Sequence, residues 1–255
     1  MMVDMHWLRQ SAKGGLQSLV EWVWPSRSLV SGDRGGQGPG VAPEELARLI
    51  FLQAGCRLCA RPLEAVWSPD AVCPACLAKP PPWDEARAAV LYDEVSRPIV
   101  LNLKHGGRRE GLEILCRWMV HAGRDMLDST DYLVPVPLHY RRLVRRGFNQ
   151  SAWLAQGVSR QTGRSLLVDG LVRWRHTPSQ AGKTLRQRRR NVAGAFAVCP
   201  RHRSSIEGRR ITLIDDVMTT GATARACCRA LRQAGAQKIN LLMLARVVRA
   251  YDVTI

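Results

Sequence analysis

The chain has 255 residues, 46% hydrophobic and 23% charged, with a formal net charge of +17. That balance excludes a disordered or collagen-like chain and leaves room for one full domain and a small one; the basic excess attracts polyanions without choosing among nucleic acid, anionic lipid and phosphorylated metabolites. Apolar runs such as Ile239–Ala245 are too short to span a bilayer, and the amino terminus lacks a secretory apolar core with a cleavage site, so a cytoplasmic location with no membrane span is expected.

Residues 1–43 carry weak helical patterning around Trp7–Trp24 and then a glycine-rich stretch, Ser31–Gly40, which predicts a flexible tail. Residues 44–82 read as a compact unit with a leading helix. Pro43 and two acids open that helix, and Leu46, Leu49, Ile50 and Leu52 give it an apolar side. Two cysteine turns follow, Cys56-Arg-Leu-Cys59 and Cys73-Pro-Ala-Cys76, and Pro80-Pro-Pro82 closes the unit.

A Cys-x-x-Cys turn places two thiolates on one side of an ion, and a second such turn completes a tetrahedron. Residues 60–72 between the pairs suffice for a hairpin that returns the second pair to the first. The expectation is a structural zinc ion held by Cys56, Cys59, Cys73 and Cys76. A redox dithiol would call for a thioredoxin-like strand and helix beside one pair, and the sequence offers none. Of the eight cysteines, Cys116, Cys199, Cys227 and Cys228 have no partner spacing and are expected as small buried hydrophobes, Cys199 in a loop.

From residue 83 to 255 strands and helices alternate. The spacing predicts strands at Ala88–Tyr92, Tyr132–Val136, Ile211–Ile214 and Ile239–Leu244. It predicts helices at Leu112–Leu127, Asn149–Thr162 and Ala222–Ala234, with Ile99–Leu103 helical or extended. Apolar strands separated by helices imply an α/β domain with a mainly parallel sheet covered on both faces.

The stretch Ile211-Thr-Leu-Ile-Asp-Asp-Val-Met-Thr-Thr-Gly-Ala-Thr223 carries the most chemistry. A buried strand ends in Asp215 and Asp216, and a turn of Thr219, Thr220 and Gly221 opens a helix at Ala222 and Thr223. Unpaired N–H groups and the helix dipole there favour a phosphate, while carboxylates suit ribose hydroxyls or a magnesium ion shared with a diphosphate. A second segment, Pro135-Val-Pro137, leaves the sheet at the same edge with Arg141, Arg142, Arg145, Arg146 and Gly147 behind it, a basic turn fit for pyrophosphate.

Leu213–Thr223 resembles the phosphoribosyl pyrophosphate signature of type I phosphoribosyltransferases. Val134-Pro-Val-Pro-Leu138 with Arg146-Gly-Phe-Asn-Gln150, Arg173-Trp-Arg-His-Thr-Pro-Ser-Gln180 with Arg190-Asn191, and the paired cysteine turns resemble the ComF/GntX family. The resemblance implies a type I phosphoribosyltransferase-like domain preceded by a zinc ribbon. It assigns ribose hydroxyls and magnesium to Asp215 and Asp216, the 5′-phosphate to Thr219–Thr223, and pyrophosphate to Pro135, Val136, Pro137, Arg146 and Gly147. Arg175, Thr177 and Gln180 then belong to a mobile catalytic loop spanning residues 173–191.

Two functions are open on this reading. One is magnesium-dependent phosphoribosyl transfer to an acceptor the sequence does not identify. The other is a phosphoribosyl pyrophosphate-responsive module that binds single-stranded DNA in DNA uptake, with Trp67 or Trp174 stacking on bases.

Overall fold

In the computed structural model, residues 28–30, 40–53, 55–63, 68, 70–105, 109, 111–175 and 194–248 are described. The apolar runs form a parallel sheet of β1 (Glu85–Leu91), β2 (Tyr132–Pro135), β3 (Ser165–Leu166), β6 (Arg210–Met218) and β7 (Lys238–Arg246), in the order β1-β7-β6-β2-β3. All four neighbouring pairs run parallel.

Both faces are buried, which explains why the inner strands are apolar almost throughout. Val134, Ile211, Leu213, Ile239 and Leu241 pack with Ala226, Cys227 and Leu231 of α9 (Ala222–Gln233). Leu133, Ile214, Leu242 and Leu244 pack on the other face with α4 (Leu112–Ala122) and α7 (Gln150–Thr162). Full burial of each such side chain stabilises the fold by about 1.5–3 kcal/mol.

The cysteine turns belong to the same apolar body. Cys56, Cys59, Cys73 and Cys76 join the cluster on the α9 face. The segment before them lies along the outer edge of β1: Leu52 N donates to Ala89 O at 3.0 Å, Leu91 N to Ile50 O at 2.8 Å and Ala86 N to Arg57 O at 2.8 Å. An edge strand that would otherwise present free backbone groups is thereby covered.

Some elements differ from the sequence expectation. The leading helix is short, α1 (Pro43–Arg48), and α2 (Pro74–Ala78) starts at the second cysteine turn. Residues 99–103 lie within a helix, α3 (Arg97–His105). The long helix expected over 112–127 is broken at Gly123 into α4 and α5 (Arg124–Asp128), where a side chain would come 2.9 Å from Leu242. The basic segment behind β2 is not a plain turn but α6 (Tyr140–Arg146), started by His139, whose Nδ1 accepts from Arg141 N at 3.2 Å.

A short antiparallel pair, β4 (Leu171–Arg173) with β5 (Phe196–Val198), also lay beyond the periodicity. It precedes α8 (Arg203–Ile206). Within the stretch expected to be a tail, Leu29 N donates to Gly40 O at 3.1 Å and Leu29 packs on the α4 face. Among the described residues no helix is long and apolar enough to cross a membrane.

Candidate phosphate-binding site at the carboxyl edge of the sheet

Strand β6 runs on to Met218, so Asp215 and Asp216 sit inside its last turn of pleat rather than beyond it. Successive residues of a strand face opposite sides. Asp216 follows Ile214 toward α7, whereas Asp215 touches both sides, lining the cavity at the start of α9 while its Oδ1 reaches Ser151 of α7. Both carboxylates thus bond to the first turn of α7.

Asp215 lines a small cavity together with Thr219, Thr220, Gly221, Ala222 and Thr223. At about 50 Å³ it has the scale of one or two waters or an oxyanion, not of a nucleobase. Gly221 stands at φ +69° immediately before α9, and a Cβ there would lie 3.0 Å from the Trp83 ring. Glycine is thus favoured twice, by backbone and by space. The first turn of α9, whose N–H groups have no partner within the helix, lines this cavity and can supply anion donors.

Burial, then the negative charge of Asp216, holds the Asp215 carboxyl well above the usual carboxylate range. Its Oδ1 accepts from Ser151 Oγ at 3.2 Å and from Asp216 N at 2.9 Å. A carboxyl held up in this way gains when a ligand brings hydroxyl donors or a cation beside it.

Asp216, 5% exposed, is held differently. Lys104 Nζ lies 3.1 Å from its Oδ2, and Gln150 Nε2 reaches the same oxygen at 3.4 Å. Gln150 in turn receives Arg146 Nη1 at 3.4 Å. The chain Arg146–Gln150–Asp216–Lys104 links α6 to the sheet.

Pro135 ends β2, and Val136 N donates to Ile214 O at 2.9 Å. Asn149 Nδ2 holds Val136 O at 3.1 Å while its Oδ1 caps α7 through Ser151 N at 3.1 Å. Gly147 closes α6 at φ +78°. The arginines of α6 crowd one another: burial, then Arg146 and Arg145, lowers the Arg142 pKa. Burial, then Arg142, brings the largely buried Arg173 of β4 down to about 10. Concentrated positive charge of this kind is relieved by an anion.

Of the expected catalytic loop, Arg175 lies just past β4, while Thr177, Gln180 and Arg186–Asn191 lie outside the described residues, as does Trp67. Sequence reasoning missed Ser151 and left Gln150 without a role of its own, and for the basic turn at Lys104 it offered an approach to pyrophosphate or a helix end; the structure sets Lys104 in the last turn of α3, on Asp216. Gln150 had a signal, since it closes the Arg146–Gln150 motif. Ser151 is set only by tertiary packing.

The four cysteine sulfurs lie within 4.8 Å of one another and all four residues are buried. Cys59 Sγ and Cys73 Sγ are 3.8 Å apart, and a tetrahedron with metal–sulfur bonds of about 2.3 Å has edges of about 3.8 Å. Cys73 N points at Cys56 Sγ at 3.2 Å, the type of contact that steadies a thiolate ligand. The donor set fits a tetrahedral, thiophilic metal ion. A larger cavity of about 670 Å³, lined by Gln53, Arg87, His121 and Arg124 among others, contains neither aspartate and no part of the threonine turn.

Residues 125–252 match the phosphoribosyl transferase domain. DNA utilization protein YhgH of Escherichia coli K12 is 35% identical over 181 residues, 69% of this chain and 78% of that protein. Competence protein F of Haemophilus influenzae is 32% identical over 179 residues, 68% of this chain and 78% of that protein. An amidophosphoribosyltransferase of Methanothermobacter thermautotrophicus is 34% identical over 116 residues, which is 21% of its length.

Proposed function

Since the chain belongs to the ComF/GntX family, built on a phosphoribosyl transferase domain, we propose that it binds phosphoribosyl pyrophosphate at the carboxyl edge of its sheet and transfers the phosphoribosyl group to an acceptor. The observation that carries this reading is the shared cavity of Asp215 and the Thr219–Thr223 turn at the start of α9. The turn takes the 5′-phosphate, and Asp215 takes the ribose hydroxyls.

Pro135–Pro137 and the arginines of α6 receive the diphosphate, with Arg146 nearest to the acid pair through Gln150. Magnesium bound with the diphosphate neutralises part of its charge. The protein's own share of catalysis is orientation and charge stabilisation of the departing pyrophosphate. Arg175, Thr177 and Gln180 close over the ribose in this scheme. Residues 44–82 form a zinc-binding unit through Cys56, Cys59, Cys73 and Cys76, and residues 83–255 form the transferase-like domain.

A second reading, a DNA-binding module, is favoured by one feature. Tyr140 and Trp174 are 72% and 66% exposed, and their chain neighbours His139 and Arg173 form a backbone bridge. Arg141 and Arg145 of α6 accompany them. Aromatic faces among arginines suit single-stranded DNA, and the relatives are named for DNA utilization and competence.

Incubation with magnesium, phosphoribosyl pyrophosphate and a panel of nucleobases and amines separates the two. Pyrophosphate release that depends on an acceptor supports the transferase. Sugar-phosphate binding without turnover, with DNA retention that collapses at higher salt, supports the module.

A further inference from the structure

Arg246, the last residue of β7, is 6% exposed and carries a guanidinium that reaches in two directions. Its Nε donates to Cys59 O at 2.8 Å, in the first cysteine turn. Its Nη1 donates to Met218 O at 3.2 Å, to Thr219 O at 2.9 Å and to Val247 O. One side chain thus touches the metal-holding turn and the entrance of the phosphate turn together.

A second link runs beside it. Trp83 Nε1 donates to Leu58 O, the carbonyl preceding Cys59, and the same indole lies against Gly221 and beneath Arg225. Two consecutive carbonyls of the first cysteine turn therefore meet two side chains that both contact residues 218–221.

We propose that Arg246 is a positioning residue of the sugar-phosphate site, fastening the Met218–Thr220 backbone to the cysteine turn so that the bound metal governs the shape of the phosphate cradle. This rests on the phosphate-binding role given above to Thr219–Thr223. In a trans peptide the N–H of one residue points opposite to the C=O of the residue before it. Drawing Met218 O and Thr219 O toward Arg246 turns the N–H groups of Thr219 and Thr220 the other way. The turn is thereby held with its donors on the side remote from the cysteine cluster.

The geometry needs arginine. A guanidinium offers donors in a rigid planar fork, so Nε and Nη1 can serve acceptors on different segments at fixed angles. A lysine ammonium keeps the charge but is a single point on a flexible stem.

The test uses the full chain with its metal bound. Arg246→Lys and Arg246→Gln are compared with the wild type for zinc content, for amide hydrogen exchange in ligand-free protein, and for phosphoribosyl pyrophosphate affinity by calorimetry with magnesium present. The expected result is one equivalent of zinc in every variant and exchange at 218–223 faster by about tenfold or more, with β7 residues 239–244 unchanged. Affinity should fall by a similar factor, with no rescue by lysine.

Stripping zinc from the wild type with a chelator should speed the same amides, and stripping it from the variants should add little. If Arg246→Gln fails to fold, Arg246→Lys, which keeps the charge and an aliphatic stem, must still speed exchange at 218–223. Exchange and affinity at wild-type levels in Arg246→Lys would overturn the proposal. A wild type that shows the exchange coupling but no sugar-phosphate binding would leave the positioning role standing and remove the ligand assignment instead.

Discussion

Lys104 and Asp216 form an ion pair at 3.1 Å, whereas Asp215, the neighbour of Asp216 in sequence, lines the small cavity at the start of α9. Asp216 is tied to α3 through Lys104 and to α6 and α7 through Gln150, and in the proposed function Asp215 meets the ligand.

Lys104→Met should weaken the fold by about 1–3 kcal/mol in urea unfolding, because the buried Asp216 loses its cation and keeps the neutral donors Gln150 Nε2 and Val217 N. A change under about 0.5 kcal/mol, as for a surface pair, would show that Lys104 is dispensable to the architecture.

Asp215→Asn should move stability and binding in opposite directions. Its carboxyl has a raised pKa in the folded state, chiefly through burial and then through Asp216. The folded protein consequently binds this proton more tightly than the unfolded chain, and the stabilisation is complete below the ordinary carboxylate range and lost as pH rises through the folded-state pKa. At neutral pH the asparagine variant should be the more stable protein, with an advantage that shrinks on acidification. Its affinity for phosphoribosyl pyrophosphate should drop by about tenfold or more. Chemical denaturation across pH, paired with calorimetry, reads both.

Gly221→Ala places a side chain at φ +69° and 3.0 Å from the Trp83 ring. A cost of about 1–2 kcal/mol is expected from the backbone alone. Because the indole is displaced, tryptophan fluorescence should shift along with the denaturation midpoint.

Cys59→Ser should release the metal and loosen residues 50–80, since the thiolates and the ion stabilise that segment together. Zinc by mass spectrometry should fall below one equivalent, and proteolysis should begin within this stretch. Full metal content with wild-type protease resistance would contradict the tetrahedral site.

The parallel sheet was legible in the sequence because Ile211–Ile214 and Ile239–Leu244 are buried on both faces, which leaves an unbroken apolar signature. The cysteine cluster and the Thr219–Thr223 turn were legible because their chemistry depends on local spacing. The bonds of Asp216 to Lys104 and Gln150 were not legible, because they join segments far apart in the sequence. Helix α6 carried no signal: it has no buried residue, so no apolar period marks it. Arg246 and Trp83 acquire their partners across the fold, and nothing in their local sequence announces Cys59 or Gly221 as neighbours.

The most direct test of the account is calorimetric titration of the full chain with phosphoribosyl pyrophosphate and magnesium, run beside a Thr220→Val, Thr223→Val variant that retains the fold by circular dichroism. The account predicts one site per chain, weakened by about tenfold or more in the variant. Equal affinity in both proteins, or no binding to the wild type, would contradict it.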